Sequence, residues 1–105
     1  MTIQVNFFGR RQSRAVATFA RDLLARALGR FVALVRDVHV RVRDVNGRRG
    51  GVDQLCSLDV RLADGGHLYL SDLAGQPESA LRRLARRSKR ILQRRPRRSR
   101  TEVQR

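Results

Sequence analysis

Tryptophan is missing from this chain, tyrosine occurs once, and aromatic residues make up only 5% of its 105 positions, so few large rings are available to a core or a ligand pocket. Cysteine also occurs once, as Cys56, which excludes an internal disulfide and a zinc centre built from several thiolates. A lone thiol fits a reducing, cytoplasmic setting. Nowhere do about 18 apolar residues follow one another, and the opening MTIQVNFFGRRQSR carries no long apolar run behind a basic start, so neither a membrane span nor a secretory signal is expected. Acid is the scarcest charge. Only 9 Asp and Glu stand against 24 Lys and Arg, leaving a formal net charge of +15. Such an excess repels itself unless anions lie close, which points to an anionic partner.

The charge is also placed. From Arg82 to Arg105 there are 12 basic residues and one acid, Glu102, so +11 of the +15 lies in the last quarter of the chain. All basic residues but Lys89 are arginine. A codon bias toward arginine would explain that choice but not the clustering.

At this length one domain with a modest core is expected, which excludes a large enzyme. TIQVNF alternates Ile3, Val5 and Phe7 with Thr2, Gln4 and Asn6, the period of a half-buried strand. Ser13 suits the cap of a helix whose apolar stripe is Val16, Phe19, Ala20, Leu23, Leu24, Ala27 and Leu28, with Gly29 as a left-handed exit. VRDVHVRVRD sets Val38, Val40 and Val42 against His39, Arg41 and Arg43, before a turn marked by Asn46-Gly47 and Gly50-Gly51. LCSLDVRL resumes the alternation with Cys56, Leu58, Val60 and Leu62 inward; ADGG then turns the chain into HLYLS. After Pro77 a second helix carries Ala80, Leu81, Leu84, Ala85, Ser88, Ile91 and Leu92 on one face and ends before Pro96. The expectation is an α+β fold of order β-α-β-β-β-α, with two helices packed on one face of a four-stranded sheet. Residues 1–95 form this domain. Residues 96–105 have too few apolar groups to offset ordering and are expected to be a flexible basic tail.

The second helix carries the clearest functional signal. Arg82, Arg83, Arg86, Arg87, Lys89, Arg90, Arg94 and Arg95 occupy its polar side with no acid among them, whereas a merely soluble face mixes both signs. Arg87, Arg90 and Arg94 fall at i, i+3 and i+7 along one edge, and guanidinium forks bind phosphate oxygens in pairs. A basic amphipathic helix also suits a lipid surface, but Leu81, Leu84, Ile91 and Leu92 are needed to close the core, so no membrane partner is expected. Arg48 and Arg49 in the glycine-rich hairpin are further candidates, although the segment lacks the Lys-Ser/Thr ending of a nucleotide-binding loop. On the wet sheet face His39, Arg41, Arg43, Arg61 and Tyr69 form a possible second surface, with a ring for a base. Cys56 points inward, and neither His39 nor His67 has an acid arranged to orient it, so no catalysis, cofactor, metal or small-molecule substrate is expected.

RDVNGRRGGVDQLC, with its D-x-N-G-x-x-G-G-x-D-x-x-C pattern from Asp44 to Cys56, follows a valine-rich strand and precedes a short meander and the helix ALRRLARRSKRIL. Over about residues 2–95 this resembles the ribosome hibernation-promoting factor family, which includes ribosome-associated inhibitor A. The resemblance implies the same element order and binding to the small ribosomal subunit and its rRNA at the decoding channel, where messenger and transfer RNA are excluded during dormancy. The family's basic second-helix positions fall on Arg87, Lys89, Arg90 and Arg94, while Ser88 stands where leucine is usual and Arg86 where an acid is common. A chain this short is expected to be the short form, without the second domain that pairs ribosomes, and to be monomeric when free. It is expected to be a non-enzymatic translation inhibitor of stress or stationary phase. The alternative from the residues alone is a general RNA-binding protein or RNA chaperone, gripping through its tail without ribosome specificity.

Overall fold

The computed structural model describes residues 1–45 and 53–95. Its elements run β1 (Thr2–Phe8), α1 (Arg14–Leu28), a 3₁₀ turn (Gly29–Phe31), β2 (Val35–Asp44), β3 (Gln54–Leu62), β4 (His67–Ala74) and α2 (Pro77–Arg94). The sheet order is β1-β2-β3-β4, with β1 parallel to β2 and the other neighbours antiparallel. The β-α-β-β-β-α order and the two-layer α+β architecture expected from the periodicities are those observed.

Alternation along the strands puts most of the valines and leucines on the helix side, with Leu55 and Leu73 on the other. Val38, Val40, Val42, Cys56, Leu58 and Val60 are each at most 1% exposed and meet Leu24, Leu28, Leu81 and Leu84 from the helices in one cluster. Burial of a leucine or valine side chain at this depth contributes about 1.5–3 kcal/mol. Val35 and Val38 both face inward although three residues apart, because the β2–β3 register shifts between Val35 and Asp37. The irregularity resets the phase of the strand.

Helix α1 begins where its cap was expected: the Ser13 hydroxyl accepts from the Val16 amide at 3.2 Å. Gly29 is different from the expectation of a left-handed exit. Its φ of −58° is right-handed, because the chain tightens into the 3₁₀ turn instead of stopping. Left-handed backbone occurs at Gly9 (φ 68°), where β1 ends against the carbonyl of Asp44, and at Gly65 (φ 92°) in the β3–β4 turn. There Asp64 accepts from the Gly66 amide at 2.8 Å.

Ile91, expected in the core, is 42% exposed. The buried stripe of α2 runs through Leu81, Leu84, Ser88 and Leu92, and Ile91 lies to its side, lining an open hollow with Leu62, His67 and Leu68. Ser88 is fully buried and its hydroxyl donates to the carbonyl of Ala85 at 3.0 Å, so its polar atom is satisfied within the helix. Arg95 is extended (φ −62°, ψ 122°), the conformation a residue before proline adopts.

Candidate nucleic-acid interface

Packing the apolar stripe of α2 onto the sheet turns its other residues outward as a cationic ridge. Arg82, Arg83, Arg86, Arg87, Arg90 and Arg94 are exposed and Lys89 is half-buried. The ridge has three parts with different surroundings.

On the flank above β4, Arg83 is tied down. Its Nε donates to Asp72 Oδ2 at 2.6 Å and its Nη2 to the Leu73 carbonyl at 3.0 Å. One turn on, Arg87 Nη1 donates to the Ser71 carbonyl at 3.1 Å. β4 is an edge strand, so these guanidinium groups satisfy acceptors that a fifth strand would otherwise take. The hydrogen bond from Arg83 holds the Asp72 carboxyl below its ordinary pKa, and the same contact raises that of Arg83. At the end of the helix Arg95 pairs with Asp64; the Asp64 pKa is lowered, first by the Gly66 amide and then by Arg95.

On the flank toward α1, Arg82 lies over the Phe19 ring, 5.1 Å from its centre. Arg82, Arg86 and Lys89 with Arg26 of α1 surround a hollow of about 380 Å³ whose floor is Leu23, Ala27 and Ala85. Arg26 was not among the candidates from sequence. The signal available was its place in the last turn of α1, beside the apolar stripe.

Along the crest, Arg90, Arg94 and Arg86, the last also bordering that hollow, make no ion pair or hydrogen bond with any described residue. They are cations that no described residue engages.

The opposite face of the sheet is open, and the register arranges it in rows. Phe8, Arg43, Leu55 and Leu73 lie side by side across the four strands; Asn6, Arg41, Ser57 and Ser71 form the next row. Arg43 sits over the Phe8 ring at 5.6 Å. Toward the other end, Thr2, Gln4, Asp37, His39, Arg41, Asp59 and Arg61 line a concavity of about 450 Å³. His39 bonds Asn6 at 2.7 Å, whereas His67, expected to have no acid to orient it, is paired with Asp59 because the β3–β4 register sets the two diagonally on the same face. Tyr69 is 57% exposed. The candidates Arg41, Arg43, Arg61, His39 and Tyr69 are therefore brought to one face, away from the α2 ridge. Arg48 and Arg49 lie outside the described residues, as does the tail 96–105.

Cys56 is buried, and desolvation pushes its thiol up to about 11, which leaves little thiolate for chemistry at neutral pH. Among the described residues no group of three His, Cys, Asp or Glu is arranged to hold a metal ion, and no helix is long and apolar enough to cross a membrane.

No protein-family model matches the sequence, and no curated protein matches it significantly. Solved structures do share its fold. A ribosomal subunit interface protein from Coxiella burnetii superposes with a TM-score of 0.74 at 15% identity, covering 89% of this chain and 94% of that one. The N-terminal domain of Thermus thermophilus Protein Y gives 0.71 at 15% identity, covering 90% and 98%. The chain has the fold of these proteins over nearly its whole length.

Proposed function

We propose that this protein is a cytoplasmic, non-enzymatic translation inhibitor that associates with the ribosome, lays α2 against small-subunit rRNA at the decoding channel and so excludes messenger and transfer RNA. The observation that carries the reading is the ridge of α2, acid-free from Arg82 to Arg94, whose crest arginines have no partner among the described residues, on a scaffold shared with a ribosomal subunit interface protein. The sequence resemblance to the hibernation-promoting factors over residues 2–95 supports the same reading. Occupying the channel is itself the mechanism. Binding of this kind rests on many phosphate contacts and little base readout.

If about six phosphates are neutralised, the logarithm of affinity for purified small subunits falls with the logarithm of salt at a slope of about −4 to −5. Co-sedimentation across a salt series measures it. Small subunits that fail to carry the protein at physiological salt refute the proposal. A second reading, a general RNA-binding protein, is favoured by the basic run beyond Pro96. Deleting residues 96–105 separates the two: affinity for the subunit falls modestly under the first and severely under the second.

A further inference from the structure

The open sheet face has two unlike halves. The concavity at one end is lined by Asp37 and Asp59 as well as by arginine and histidine. The other end, from Phe8 to Leu73 and from Asn6 to Ser71, holds Arg43 and has no acid in either row, with Arg41 at the boundary lining the rim of the concavity as well. Here large apolar groups also stand in water: Phe8 is 41% exposed and Leu73 50%. With strands about 4.8 Å apart, the row crosses roughly 14 Å of sheet.

We propose that this half of the face binds unpaired nucleobases, with Phe8 as the stacking ring, Leu55 and Leu73 as apolar seats, and Arg41 and Arg43 for the accompanying phosphates. Aromatic rings and guanidinium planes both take any base by its π-face, so Phe8 with Arg43 over it offers a stacking pair, and a four-stranded sheet has room for two or three splayed bases. The charge is right for a polyanion and wrong for a second copy of a chain carrying +15. The surface is also continuous with the ridge. Arg83 and Arg87 hold the carbonyls of Leu73 and Ser71 at the β4 edge, the positions whose side chains end the two rows. A strand gripped by α2 therefore meets the open face as it turns that edge. The proposal rests on the RNA-binding reading above and adds that single strands are taken by a site duplex RNA does not use.

The chain has no tryptophan, so an F8W variant carries a single indole at the proposed site. Labelled single-stranded RNA of about 12 nucleotides and a labelled duplex hairpin are titrated onto full-length protein, following label anisotropy and indole emission together. The single strand is expected to quench the emission and the hairpin to leave it nearly unchanged. Phe8→Ala is expected to weaken the single strand by about 5- to 100-fold and the hairpin less than two-fold. Binding of the single strand with unchanged emission, or equal weakening of both RNAs by Phe8→Ala, overturns the site while leaving RNA binding by α2 intact. Failure of the single strand to bind overturns it too, with the hairpin reporting separately on α2. An emission change that depends on protein concentration without RNA assigns the face to self-association and likewise overturns the proposal.

Discussion

The β4-side flank of α2 and its crest carry the same residue, one helical turn or less apart, in opposite circumstances. Arg83 and Arg87 are spent on Asp72 and on the Leu73 and Ser71 carbonyls, whereas Arg86, Arg90 and Arg94 meet no described partner. The difference separates two jobs that a count of arginines merges. Flank arginines close the edge of the sheet and hold the helix on it; crest arginines are the ones that, under the proposed function, would meet an external anion. The charge that makes α2 look uniform in sequence is divided by what stands beneath it.

The sharpest way to break this comparison is to remove the crest. R86A/R90A/R94A is expected to flatten the salt slope for small-subunit binding by about 2 to 3 and to lower affinity near physiological salt by about 100-fold, with the melting temperature little changed because no ion pair or hydrogen bond to a described residue is lost. An unchanged slope refutes the assignment. The flank variant R83A/R87A is expected to invert the pattern. Its melting temperature falls by about 2–4 °C, while the slope flattens less than in the crest variant. Equal losses of affinity in both would show that the hydrogen bonds to β4 do not withhold these arginines from RNA.

Protonation offers a finer cut. Asp72 has a lowered pKa in the folded chain, chiefly through the hydrogen bond from Arg83. The unfolded state then binds the proton more readily, so this contact contributes stability above the ordinary carboxylate value of 3.8 and loses it as pH falls through the lower, folded value. Asp72→Asn is therefore expected to melt below the wild type at pH 7, and the gap is expected to narrow as the pH is taken below 4. Thermal melts across that range measure it; a gap that stays constant with pH assigns the loss to packing rather than charge.

Much of this was legible in the sequence because period and caps report local geometry. Val38, Val40 and Val42 alternate, Ser13 precedes a helical stripe, and β2 runs over the residues whose alternation marked it. What was not legible depends on neighbours far along the chain. The strand HLYLS extends to Ala74 because β3 continues to pair with it as far as Gln54; the charged Asp72 masks the inward phase, and its purpose shows only once Arg83 lies above it. Ile91 fits the apolar period but overhangs the sheet. Gly29 has the chemistry of a helix exit and is used inside a tighter turn. For the same reason, arginines alike in pattern could not be sorted into structural and available ones, or Arg26 joined to Arg86 and Lys89, before the two helices were placed side by side.

The smallest expected effect concerns the third group, the flank toward α1. Among the described residues Arg82 meets neither an acid nor a carbonyl but the face of Phe19, an attraction that at an exposed position is worth about 0.5–1 kcal/mol. Because alanine is the better helix former by a few tenths of a kcal/mol, R82A should lose about half a kcal/mol or less. Ring contact distinguishes itself from ion pairing by its partner: Phe19→Leu keeps the apolar cover over the α1–α2 seam and removes the π-face. If Arg82 is held by the ring, R82A in the Phe19→Leu background costs less than in the wild type, and the double-mutant cycle in urea denaturation reads the difference. If the two losses simply add, Arg82 is as free as the crest, and the division of the ridge has one boundary, along β4, rather than two.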